Sequence, residues 1–88
     1  MAISAYVFIE STVGKAIQVA EAAAKLPGVK MAHAVTGTYD VIAFVEAADM
    51  LQLGELISNR IHRLSGILKT TTNVVIEEAQ AGKAVRRS

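Results

Sequence analysis

The sequence predicts an α+β domain made of two β-α-β halves that share one antiparallel sheet. Three observations point to it. A four-residue turn occurs twice, as Leu26-Pro27-Gly28-Val29 and Leu64-Ser65-Gly66-Ile67, each time between a helix-like and a strand-like stretch. The two turns lie 38 residues apart, and the same offset sets Tyr6-Val7-Phe8-Ile9 near Phe44-Val45. Finally, the apolar runs are short and β-branched where strands are expected and Ala-rich where a helix is expected.

Taken in order, Ile3 to Glu10 reads as the first strand. Ser11 or Thr12 is placed to cap the following helix through its side-chain oxygen. From Gly14 to Lys25 the chain is mostly Ala, with Ile17, Ala20, Ala24 and Val19, Ala23 at helical spacing. Pro27-Gly28 ends that helix, because proline removes a donor and glycine tolerates positive φ. In the second strand Val29, Met31, His33 and Val35 alternate with Lys30, Ala32, Ala34 and Thr36. Gly37-Thr38-Tyr39 is a tight turn, and Asp40 leads into a third strand from Val41 to Glu46 or Ala47.

Asp49 stands where an N-cap belongs, ahead of Met50, Leu53, Ile57, Ile61 and Leu64 on one helical face. Gly54 interrupts that helix and would let the sheet or a partner come close. Gly66 ends it, and Ile67 to Ile76 forms the fourth strand. The domain is expected to span residues 1–77, with a polar tail over 78–88.

The order β-α-β-β-α-β is the ferredoxin-like arrangement. Right-handed crossovers make it a four-stranded antiparallel sheet in the order 4-1-3-2, with both helices on one face. In the inner strands Ala5, Val7 and Ile9 oppose Tyr6 and Phe8, and Val41, Ala43 and Val45 oppose Ile42 and Phe44. Both sheet faces are therefore apolar, yet the helices cover only one. Soluble monomers rarely leave several hundred Å² of apolar surface exposed. The sequence thus predicts a dimer, with sheets paired face to face or side by side in a barrel-like sandwich.

Composition excludes several functions. The chain has 88 residues, 52% hydrophobic, with a net charge of +1, so it carries no basic stripe for a phosphate backbone. It has no cysteine, which removes disulfides, thiolate metal sites and Cys nucleophiles. The N-terminus lacks the basic region of a signal peptide, and no apolar run approaches the roughly 18 residues of a membrane span. A soluble, cytoplasmic protein without a cofactor is expected.

The stretch Val35-Thr36-Gly37-Thr38-Tyr39-Asp40-Val41-Ile42-Ala43-Phe44-Val45 resembles the V-x-G-x-[YF]-D strand pair of the leucine-responsive (Lrp/AsnC) regulators. The two Gly-containing turns and Thr70-Thr71-Thr72 are also similar to that family's effector domain. The resemblance runs from about Ala5 to Ile76. In the family's full-length regulators a helix-turn-helix precedes this domain, and here nothing precedes Met1. The resemblance therefore implies a stand-alone effector domain without direct DNA binding. It also implies dimers through the sheet, tetramers or octamers built from them, full-length relatives as partners, and an amino acid or similar effector bound where dimers meet.

Gly37-Thr38-Tyr39-Asp40 is the first candidate site. A free amino acid offers an ammonium for Asp40 and a carboxylate for the N–H groups and hydroxyl of Gly37 and Thr38, with Tyr39 as a wall. The plainer reading is turn chemistry, with glycine at positive φ and Asp40 bonded to nearby backbone. Thr36, Thr70 and Thr72 form a second candidate group of hydroxyls. In the expected topology Asn73 lies near the hairpin tip and Thr70 at the far end, so Thr70 would need a neighbouring chain. His33 and His62 have no companion at ligand spacing, and Glu55 is two helical turns from His62; neither makes a metal site. Ser11, Ser58 and Ser65 lack a nucleophile elbow, and no catalytic residue is assigned.

Two other functions compete. Small dimeric ferredoxin-like isomerases and monooxygenases would need His33 and Tyr6 inside a cavity between sheet and helices. Single-stranded RNA binding would use Tyr6, Phe8 and Phe44 as stacking platforms, but Asp40 would repel phosphate.

Overall fold

The computed structural model describes residues 2–77; the expected polar tail lies outside them. Its elements are β1 (Ile3–Ser11), α1 (Ala16–Ala24), β2 (Val29–Ala34), β3 (Val41–Ala47), α2 (Met50–Leu56), a π-helical turn (Ile57–Ile61) and β4 (Ile67–Val74). The sheet order β2-β3-β1-β4, antiparallel at every step, is the expected 4-1-3-2 order read from the other edge.

Strand alternation decides what each face does. On the helix side Ala5, Val7 and Ile9 of β1 lie opposite Val45, Ala43 and Val41 of β3, and all six are fully buried. Val19, Ala20 and Ala23 of α1, Leu53 and Leu56 of α2, and Ile61 close over them. On the other side Tyr6 lies opposite Phe44 and Phe8 opposite Ile42. The Tyr6 and Phe44 rings stand 4.9 Å apart, tilted by 52°, an arrangement in which edge and face charges complement each other. Among the described residues no helix covers this face: Tyr6 remains 41% exposed, and Phe8, Ile42 and Phe44 are only half-buried.

The repeated turn is a repeated structure. Gly28 and Gly66 both adopt φ +95°, and each carbonyl accepts a backbone N–H from a neighbouring strand or loop. Glu46 donates to Gly28 at 2.8 Å, and Thr12 donates to Gly66 at 2.9 Å. These two bonds fasten the end of each helix to the sheet.

Several expected boundaries move. Ser11 and Thr12 do not cap α1. Ser11 is the last residue of β1 and points inward, while Gly14 at φ +79° delays the helix until Ala16, with Lys15 as an N-cap lacking a side-chain bond. Val29 and Met31 do not share a face, because a bulge at Lys30 pairs Val29 with Val45 but Met31 with Phe44. The second helix is α-helical only to Leu56; the His62 N–H then bonds the Ile57 carbonyl, five residues back. β2 ends at Ala34 and β4 at Val74, each two residues earlier than expected. Asp49 does cap α2, its carboxylate accepting the Gln52 N–H at 2.8 Å.

Candidate functional site

The β2–β3 connection, residues 35–40, lies at the end of the sheet where β1 finishes. Val35 N–H bonds the Asp40 carbonyl at 2.9 Å, and Asp40 N–H bonds the Ile9 carbonyl at 2.9 Å. Thr36, Gly37 and Thr38 form the exposed tip, with Gly37 at φ +113°. That value lies in a region which L side chains rarely adopt, so the turn itself selects glycine. Tyr39 folds back over the open face and rests against Phe8, ring centroids 5.1 Å apart.

Asp40 is half-buried, and its Oδ2 accepts the Ser11 N–H at 2.8 Å. The carboxylate therefore satisfies a backbone donor at the point where β1 leaves its partner. Among the described residues Oδ1 receives no hydrogen bond, so one oxygen serves structure and the other is uncommitted. The bond to Ser11 is the turn chemistry that the plainer reading of Asp40 expects.

Thr70 and Thr72 belong to a different surface. They pair with Ile9 and Val7, which places them on the helix face of β4, both half-buried. The expected positions of Thr70 and Asn73 are reversed. β3 and β4 each run antiparallel to β1, so they run the same way, and the start of β4 shares its end of the sheet with the start of β3. Thr70 thus lies at the hairpin end and Asn73 at the far end, opposite Tyr6. With β1 between them, Asp40 and Thr70 stand about 10 Å apart, two strand spacings. Tyr39 and the threonines also lie on opposite faces, so one protomer does not join the two groups in a pocket.

The threonine group has a member not assigned from the sequence. His62 Nε2 and Thr70 Oγ1 are 2.7 Å apart. Their eight-residue separation spans the loop after the π-turn and the start of β4, and no local pattern in the sequence announces the contact. His33 and Tyr6 both sit on the open face, and the space between sheet and helices is filled by aliphatic side chains. The pair therefore does not face into the layer between sheet and helices.

An open hollow of about 370 Å³ lies at the opposite end of the sheet, beside Pro27, Gly28 and Gln52. Lys30 Nζ and Glu46 Oε1 face each other across its wall at 3.7 Å, both well exposed, and Ser4 Oγ donates to Glu46 Oε2 at 3.5 Å. None of the predicted site residues lines it. Among the described residues no three His, Asp or Glu side chains gather as metal ligands, and no helix is long and apolar enough to cross a membrane.

Comparison with known proteins agrees with this architecture. A family model described as the Lrp/AsnC ligand binding domain matches residues 4–85. An uncharacterized HTH-type transcriptional regulator of Pyrococcus abyssi is 32% identical over 82 residues, covering 93% of this chain and 52% of the regulator. A crystal structure from Thermus thermophilus superposes with a TM-score of 0.82 at 31% identity, covering 88% of this chain and 96% of that one. A Neisseria meningitidis transcriptional regulator in complex with L-Met has the same fold at TM-score 0.78 and 19% identity, over 89% of this chain and 52% of that one. The chain spans about half the length, or less, of the curated regulators it matches.

Proposed function

Because the chain belongs to the Lrp/AsnC ligand-binding domain family, we propose that it is an effector-binding and oligomerisation module of transcriptional regulation. The observation that carries this reading is the uncovered sheet face. Tyr6, Phe8, Ile42 and Phe44 stay partly exposed in a protomer whose inner strands are fully buried on the helix side. At about 25 cal/mol per Å² of apolar surface, covering such a face is worth several kcal/mol before association costs. A second copy offers the same apolar face in return, which makes a two-fold dimer the natural pairing. Tetramers or octamers would be built from that dimer.

The proposed effector is an amino acid or a related small molecule, held at Gly37, Thr38, Tyr39 and Asp40. The second carboxylate oxygen of Asp40, not used by Ser11, suits an ammonium, and the exposed Gly37-Thr38 tip offers donors to a carboxylate. The L-Met complex of the Neisseria regulator supports the ligand class. Thr36 adjoins this tip, whereas Thr70 and Thr72 stand apart from it in one protomer, so their contribution would come from an adjoining copy. The module would act in the cytoplasm, either by assembling with regulators that carry the same domain or by buffering the effector.

The test is thermal unfolding against each of the twenty amino acids at millimolar concentration, with light scattering recorded in parallel. A ligand at a hundred times its dissociation constant adds about 2.7 kcal/mol, a shift of several degrees for a domain this small. A selective shift with a change in mass is the expected result. A flat response across all twenty would remove the amino-acid effector.

A further inference from the structure

The hollow beside Pro27 is shaped by backbone and walled by two opposite charges. Gly28 turns at φ +95°, and its carbonyl takes the Glu46 N–H at 2.8 Å, which fixes the start of β2 against the end of β3. The bulge takes Lys30 out of the regular alternation, and its side chain lines the hollow together with Glu46. Ala47 and Ala48 are too small to fill the space, and Gln52 of α2 closes one side. About 370 Å³ remains, within the roughly 300–1,000 Å³ of small-molecule sites. Stability does not account for the ion pair on its wall. Lys30 Nζ and Glu46 Oε1 are 3.7 Å apart, beyond the roughly 2.7–3.2 Å of an N–H···O hydrogen bond, and the side chains are 57% and 39% exposed. Such a pair contributes little to folding. The Ser4 hydroxyl reaches the same carboxylate only at 3.5 Å. Among the described residues, these contacts leave the ammonium with donors to offer and the carboxylate with acceptor positions.

We propose that this hollow is a second binding site, for a small zwitterion whose ammonium and carboxylate sit on one carbon. Lys30 takes the carboxylate and Glu46 takes the ammonium, each replacing a long contact with a charge-assisted hydrogen bond. The spacing of the pair selects the ligand class. A lone anion entering the hollow meets Glu46 as well as Lys30, and a lone cation meets Lys30 as well as Glu46, so neither gains. A dipeptide holds its terminal charges a peptide unit apart, too far to meet two groups that stand side by side. Pro27, Ala47 and Ala48 offer apolar surface to a short aliphatic side chain. This site lies at the end of the sheet away from Gly37 and Asp40, shares no residue with them, and does not depend on the effector binding there.

Amide NMR spectra of the isotope-labelled full chain test it, with L-valine as the probe and N-acetyl-L-valine and L-valinamide as counterparts lacking one charge. L-valine should shift the Gly28, Ala48 and Gln52 amides to saturation, and each counterpart should bind about tenfold more weakly or worse, the loss of one charged hydrogen bond. Lys30→Gln and Glu46→Gln change exposed side chains and should show the same loss, while Ala48→Phe should fill the hollow and abolish the shifts. The rest of each variant's spectrum reports whether its fold is intact. Shifts at the hollow with the Gly37–Asp40 amides silent would uphold this site and remove the hairpin one. Shifts confined to Gly37–Asp40 would overturn this site and leave the hairpin reading standing. Shifts at the hollow that either counterpart reproduces, or that persist in both Gln variants, overturn the proposal, as does a spectrum that L-valine leaves unchanged.

Discussion

The Asp40 carboxylate accepts the Ser11 backbone N–H at 2.8 Å, joining two residues 29 positions apart at the end of the sheet. It supplies the acceptor that a continued strand would have given Ser11. Asp40→Ala leaves that donor without its partner in a half-buried setting, a loss of about 1–3 kcal/mol. The melting temperature should fall by several degrees. Asp40→Asn keeps an acceptor oxygen and should lose much less. The Asn variant therefore isolates the charge, and calorimetry with a responding amino acid should show weakened binding. Equal affinity would leave Asp40 with its structural bond alone.

The two sheet faces should respond differently to charge. Val7 is fully buried beneath the helices, so Val7→Asp places an unpaired charge in the core and should abolish folding. Phe44 lies on the open face, and Phe44→Glu should give a folded monomer by circular dichroism and sedimentation. A surviving Phe44→Glu dimer would contradict the proposed pairing, and a well-folded Val7→Asp would contradict the layer assignment.

Glycine positions separate strain from crowding. At Gly28 a Cβ would lie 3.1 Å from the Glu46 carbonyl oxygen, on backbone that is itself bonded to Gly28. Gly37 has positive φ but open space around it. Alanine at either site incurs a left-handed backbone cost of about 1–2 kcal/mol. Only Gly28→Ala adds the contact, so its urea midpoint should fall further. Equal midpoints would show that the contact relaxes without cost.

Capping should be found at one helix and not the other. Asp49→Ala removes the acceptor of the Gln52 N–H, costing about 1 kcal/mol, while Asp49→Asn should be nearly neutral. Ser11 ends a strand, so Ser11→Ala should not reproduce the loss of a cap. Denaturant melts of the three variants settle the comparison. An Asp49→Ala as stable as the wild type would mean that water replaces the carboxylate.

Much of the fold was legible because its signals are local. Pro27-Gly28 and Ser65-Gly66 stop helices by their own backbone preferences, and Asp49 caps within its own turn. The alternation in β1 and β3 shows in any window of seven residues. The misreadings share another character. Ser11 looked like a cap because Ser often is one, but its place at the end of β1 depends on Asp40. Lys30 looked like a regular strand residue, and only pairing with β3 exposes it as a bulge.

The candidate site divides in the same way. Composition and order determined an α+β domain with two apolar sheet faces, and the motif around Gly37 and Asp40 marked the hairpin. The antiparallel 4-1-3-2 order itself puts Thr70 at the hairpin end; tertiary structure alone decided that it touches His62 and that the threonines turn away from Tyr39. It also decided that Gly54 faces open space. The physical reason is that periodicity assigns a residue to a face, whereas strand direction, register and helix winding place it along that face. Those are set by hydrogen bonds between residues far apart in the chain.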